Sequence, residues 1–232
     1  NGQRKINTLE DPIEYLLEGV RQSQIHPKIG LDFAELLRNI LRQAPDVIMI
    51  GEIRDQETAT TAVRAANSRH LVFATLHAPV AAGAIQSMLA VGVHPYFLSS
   101  CLICVVSQRL VRTLCPACRI PYDLSEAPRT FQEIESLLEP GQGDVFYGPG
   151  GCEQCFQDGY VGRSGVFEVM TFNRELRNLV AEARPTSEIQ QKAVENGMVE
   201  FRRAALLKVA QGITCTEEIL RTIPTEYLGI ED

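Results

Sequence analysis

The chain has no tryptophan, no internal repeat and no low-complexity tract. No apolar run approaches the roughly 20 residues that carry a helix across a bilayer, and no signal peptide is read at its start, so a soluble protein without membrane insertion is expected. Nor is there an excess of positive charge. Lys and Arg number 22 against 29 Asp and Glu, a net −7, which argues against non-specific binding to nucleic acid or anionic lipid. The seven cysteines are not spread as the disulfide framework of a short secreted chain would be. With 232 residues, 45% of them apolar, the sequence can bury the core of one large domain, or of one domain with a small satellite.

What is present is organised around Pro45–Asp55, PDVIMIGEIRD. Asp46 to Ile50 has no polar alternation after its first residue, the pattern of a strand buried on both faces of a parallel sheet. Gly51 ends the run and Glu52 follows at once. Ligands of open α/β sheets bind beyond the carboxyl ends of the strands, which puts Glu52 where chemistry is done. Taken alone, the stretch has a plainer reading as a core strand with a solvated turn. Two further stretches change the balance. Ile6–Tyr15, INTLEDPIEY, places Glu10, Asp11 and Glu14 after a short β-prone run, and Pro12 holds Asp11 out of helical dihedrals. His70–Ala78, HLVFATLHA, places His77 after another, with His70 read as structural. Three strand ends can thus bring two acidic patches and an imidazole to one rim, a set able to hold Mg2+ or orient a water.

Residues 16–30, with Gly19, Pro27 and Gly30, read as an irregular excursion. Asp32 caps a helix, Glu35 completes a capping box, and Phe33, Leu36, Leu37, Ile40 and Leu41 repeat at helical spacing until Pro45 stops it. Asp55 caps a second helix from Gln56 to about Asn67, and Pro79 starts a third through about Val91. Cys101 and Cys104, in the apolar stretch SSCLICVVSQRLV, read as helical core and not as metal ligands. Helices in the tail are expected to start at Asn173, Ser187, Glu200 and Thr216.

Cys115-Pro-Ala-Cys118 and Cys152-Glu-Gln-Cys155 are two tight knuckles flanked by turn residues, with 119–151 expected to form a helical or loop insertion. Two such knuckles facing each other supply four thiolates to a closed, structural zinc site; disulfides and an iron site are the competing readings. Between 115 and 163, Arg119, Arg129 and Arg163 stand against Asp123, Glu126, Glu133, Glu135, Glu139, Asp144, Glu153 and Asp158, a balance of −5. Such a module repels phosphate, so a protein partner is expected and no nucleic acid.

On these motifs the sequence resembles the secretion ATPases that power type II secretion and type IV pilus assembly. Residues 8–15 resemble that family's Asp box, 46–55 its Walker B stretch and 70–78 its His box. The likeness runs on through the cysteines to the last helices. It implies an α/β, RecA-like P-loop NTPase core over residues 1–114, a four-cysteine zinc module with a return strand over 115–170, and a C-terminal helical subdomain over 171–232. It implies ATP, Mg2+ and Zn2+ as cofactors. Glu52 matches the Walker B glutamate that acts with the magnesium and the attacking water, Glu10 matches a second acid for polarising that water, and His77 matches the residue that couples nucleotide state to motion. Asp11 and Arg54 lie in the same motifs as cofactor-binding candidates, and Cys115, Cys118, Cys152 and Cys155 are the metal ligands. The resemblance also implies a cytoplasmic homo-hexamer joined to the inner membrane through a platform protein, with N-terminal domains outside this chain. One departure stands out: the sequence contains no G-x-x-x-x-G-K-[ST] run to cradle phosphates. The expectation is therefore a core cut after its phosphate loop, inactive alone and left with unpaired sheet edges. The alternative is a non-catalytic, zinc-stabilised interaction scaffold derived from such an ATPase.

Overall fold

The computed structural model describes residues 2–123 and 131–229; Glu126 and Arg129 of the charge balance lie outside them. The chain divides into two compact units, 1–105 with 171–193, and 106–170 with 194–232.

The first unit is built on a parallel sheet of β1 (Ile6–Glu10), β2 (Val20–Gln24), β3 (Val47–Ile50) and β4 (Leu71–Ala74), in the order β2-β1-β3-β4. Leu9 pairs with Ile50, Ile50 with Ala74 and Glu10 with Gln24, so the carboxyl ends of all four strands finish level. Leu9, Ile48 and Ile50 are fully buried. The helix α1 (Phe33–Leu41) starts where Asp32 accepts the Glu35 N–H at 2.8 Å. Only half of the capping box forms, because the Glu35 carboxylate turns instead to Arg38 and Asn39. Asp55 caps α2 (Gln56–Asn67) in the same way, accepting the Thr58 N–H at 2.8 Å. Each cap satisfies an N–H that a helix start otherwise leaves unpaired. The unit also holds α3 (Gly83–Ala90), α4 (Pro95–Cys101), α5 (Arg174–Ala181) and α6 (Thr186–Glu195).

Three expectations are corrected here. The stretch read as irregular contains β2, whose VRQSQ sequence carries no apolar alternation; its pairing with β1 makes it a strand. The helix expected from Pro79 begins only at Gly83, after a bend and a turn. Cys101 ends α4 and Cys104 opens a strand, so the pair is not one helical core stretch, and Cys104 is exposed. Leu102 takes an extended conformation and the β-branched Val105 and Val106 follow.

In the second unit β5 (Cys104–Leu114) pairs with β8 (Tyr160–Thr171), and β6 (Ile120–Asp123) pairs antiparallel with β7 (Val145–Gly148). Between the cysteine pairs the chain therefore forms a small β-ribbon, with a 3-10 turn at Gln132–Leu137, where a helical or loop insertion was expected. Two helices follow, α7 (Phe201–Ala210) and α8 (Thr216–Thr222). Val111, Leu114, Ile134, Met170 and Phe201 form the core, and the buried carboxylate of Glu168 accepts the Phe201 N–H at the start of α7.

Candidate functional site

The site lies where β1, β3 and β4 end. Gly51 donates its N–H to the Leu9 carbonyl at 2.7 Å, and a Cβ on Gly51 would stand only 2.9 Å from that oxygen. Glycine lets the chain turn here without pushing β1 away. The segment after β4 continues the ladder beyond the strands: Thr75 N–H donates to the Ile50 carbonyl, Ile53 N–H donates to the Thr75 carbonyl, and the Thr75 hydroxyl donates to the Gly51 carbonyl. This zipper brings the two turns together at Glu52.

Glu52 Oε1 contacts Arg54 Nη2, and its Oε2 lies 3.5 Å from His77 Nε2. Arg54 also reaches Asp11 Oδ2 at 3.8 Å. The Glu52 side chain is largely buried at 16% exposure, whereas His77 is almost fully exposed at 96%. The Arg54 hydrogen bond holds the Glu52 carboxyl below the usual carboxylate range, with His77 assisting and burial opposing. Glu52 is therefore a carboxylate at neutral pH. Beside the Arg54 and Asp11 pair opens a cleft of about 580 Å³ lined by Asp32, Asp55 and Glu57 among others. Glu10 is held apart from this group: Thr8 and Gln22 both donate to its Oε1, and no hydrogen bond or ion pair joins it to Glu52, Arg54 or His77. The structure thus links Glu52, Arg54, Asp11 and His77, and sets Glu10 on the neighbouring strand end. Sequence reading missed Thr8, Gln22 and Thr75. Thr8 carried a signal, since residues two apart on a strand share a face; Gln22 carried none.

The four cysteines of the second unit converge. Sγ atoms of Cys115 and Cys152 lie 3.9 Å apart, those of Cys118 and Cys155 3.7 Å, those of Cys152 and Cys155 3.7 Å, and all four fall within 4.8 Å of one another. A tetrahedral zinc with sulfur arms of about 2.3 Å has sulfur edges of about 3.8 Å, so the donor set fits the ion. At these spacings none of the four is joined by a disulfide. Gly150 makes the approach possible, because a Cβ there would fall 1.9 Å from the Cys118 carbonyl oxygen. Burial and the neighbouring sulfurs push the Cys118 thiol up to about 12. For Cys155 burial also opposes ionisation, but backbone hydrogen bonds at Cys152 and Gly159 lower it below the ordinary thiol.

A parallel sheet that carries carboxylates and an imidazole at the carboxyl ends of its strands, in a chain with a four-cysteine cluster, defines an α/β protein with a candidate site at that rim. The chain belongs to the family described as Type II/IV secretion system protein, which matches residues 1–221. It is 43% identical over 223 residues to Type II secretion system protein E of Pseudomonas aeruginosa, covering 96% of this chain and 43% of that protein. It is 42% identical over 221 residues to the type IV pilus assembly ATPase PilB of Thermus thermophilus, covering 95% of this chain and 25% of that protein. The crystal structure of the pilus retraction motor PilT with bound ADP is similar at a TM-score of 0.64 and 28% identity, over 94% of this chain and 52% of that one. The chain spans less than half the length of these two curated relatives.

Proposed function

We propose that this chain is part of a homo-hexameric ATPase that couples ATP hydrolysis to pseudopilus or pilus assembly. The observation that carries the reading is Glu52: a largely buried carboxylate at the end of an inner strand, braced by Arg54 and reached by His77. Phosphoryl transfer asks a protein mainly for positioning and charge stabilisation. Bound MgATP would supply the electrophilic phosphorus and the metal that neutralises its charge. Glu52 offers hard oxygen to the hydrated metal and to the attacking water. Glu10, with one oxygen fixed by Thr8 and Gln22, offers its other oxygen as a second acceptor for that water. Asp11, 3.8 Å from Arg54, helps hold that guanidinium beside Glu52, where it can neutralise charge. His77, exposed and within reach of Glu52, is placed to report what binds at the rim.

None of these residues cradles phosphate. We assign that task to a glycine-rich loop that these 232 residues do not contain. This chain alone then hydrolyses ATP negligibly. The four cysteines hold Zn2+ as a structural ion that keeps their module folded. The ring works in the cytoplasm, and its partner is an inner-membrane platform protein. In the full-length protein, Glu52→Gln should reduce turnover by about 100-fold or more while MgATP still binds. Turnover unchanged in that variant, or Mg-dependent turnover by this chain alone that Glu52→Gln abolishes, would overturn respectively the site reading and the assignment of the missing cradle.

A further inference from the structure

We propose that Gln22 is a positioning residue for Glu10, tying the orientation of that carboxylate to the exposed apolar turn at Tyr15–Leu17. The inference rests on the role given to Glu10 above.

Parallel pairing sets Thr8 opposite Gln22 and Glu10 opposite Gln24, and the period of two along each strand puts these four side chains on one face of the sheet. The chain leaving β1 folds back over that face, and the two glutamines clip its backbone. Gln22 Oε1 accepts the Leu17 N–H at 2.7 Å, Gln22 Nε2 donates to the Tyr15 carbonyl at 2.9 Å, and Gln24 Oε1 accepts the Ile13 N–H at 3.3 Å. The same Gln22 Nε2 donates to Glu10 Oε1 at 2.9 Å. A carboxamide nitrogen has two hydrogens, and these contacts employ both: one on the turn, one on Glu10. Glu10 Oε1 is thus held by two donors, Gln22 and Thr8, while Oε2 carries no partner among the described residues.

The consequence is mechanical. Tyr15 and Leu16 are 80% and 90% exposed, a hydrophobic tip with nothing packed over it among the described residues. A displacement of that tip pulls on the amide that fixes Glu10, and the free oxygen of Glu10 moves with it. The polar sequence of β2 then has a purpose beyond edge pairing: its glutamines transmit the state of the turn to the strand end.

The test uses full-length protein with MgATP, comparing Gln22→Ala and Gln22→Glu. The glutamate keeps the acceptor for the Leu17 N–H but places a like charge where Glu10 had a donor. Positioning predicts that both variants lose about tenfold or more in kcat with KM within about twofold, and that Gln22→Glu is no better than Gln22→Ala. It also predicts that Gln22→Ala adds nothing further to Glu10→Gln. A merely structural Gln22 gives the opposite: losses in both variants that follow melting temperature, because glutamate also lacks the donor to the Tyr15 carbonyl, and additivity in the double variant. Glu10→Gln separates the two levels. If it leaves turnover intact, the reading of the site fails; if it abolishes turnover while Gln22→Ala leaves kcat unchanged, the Gln22 inference fails alone. A second measurement leaves Gln22 untouched. In this chain, NMR resonances of the Gln22 carboxamide protons should shift in Glu10→Ala and exchange with water about tenfold faster or more, and no change in either would overturn the proposal.

Discussion

Glu218 and Arg112, 106 positions apart, are bound twice over: the Arg112 backbone N–H donates to Oε1 at 3.0 Å and its Nε to Oε2 at 2.9 Å. Arg221 adds donors at 2.8 and 2.7 Å, and the Arg112 guanidinium lies over the Tyr160 ring at 3.9 Å. Hydrogen bonds from Arg221 first, and then from Arg112 against the cost of burial, lower the Glu218 carboxyl to about 2. A depressed carboxylate stabilises the fold above its unfolded pKa of about 4.5, and that contribution disappears as pH falls from there through the folded value of about 2. The amount is on the order of 3 kcal/mol. Urea melts across that window should show a steeper pH dependence for the natural chain than for Glu218→Gln. Parallel curves would show that Glu218 does not carry this linkage.

Gly51→Ala should destabilise by about 1–3 kcal/mol, because the Leu9 carbonyl leaves no room for a methyl group and β1 must shift. Gly83→Ala is the control: its nearest neighbour would be 3.5 Å away and it opens α3, so alanine there should be neutral or mildly stabilising. Thermal melts of both variants decide the matter; equal effects would mean that the strand end tolerates the methyl.

Metal analysis should find about one zinc per chain, lost on Cys115→Ser together with several degrees of Tm. Cys104→Ser, at an exposed position outside the cluster, should change neither. A natural chain that purifies without zinc and melts unchanged with a chelator would count against the metal.

Phe73→Lys tests the open edge. An exposed apolar edge strand is a template for pairing with another copy, and charge on it blocks pairing. Sedimentation of this chain should show concentration-dependent association that the lysine variant lacks at equal melting temperature. Identical sedimentation of the two would place any self-association elsewhere.

Local chemistry made much of the fold legible. Asp32, Asp55 and Asn173 cap α1, α2 and α5 as their residue types and the apolar periods after them require. The strand ahead of Gly51 was visible because burial on both faces removes polar alternation. β2 was not, since an edge strand of five mostly polar residues owes its conformation to hydrogen bonds with β1 rather than to its own pattern. The break between Cys101 and Cys104 escaped for a related reason: a short apolar run does not distinguish helix from strand until its packing partner is known.

The sequence by itself determined the identities and order of the candidate site groups, the cysteine spacing and the family, because these are local facts of residue type and separation. Tertiary structure alone decided that Glu52 meets Arg54 and His77 while Glu10 is held by Thr8 and Gln22, and that four sulfurs from two distant knuckles stand at tetrahedral separations. The first depends on the register of the parallel sheet and the close approach at Gly51, the second on the close approach at Gly150. Register joins residues far apart in the chain, and where a strand such as β2 carries no apolar alternation its own sequence does not fix it.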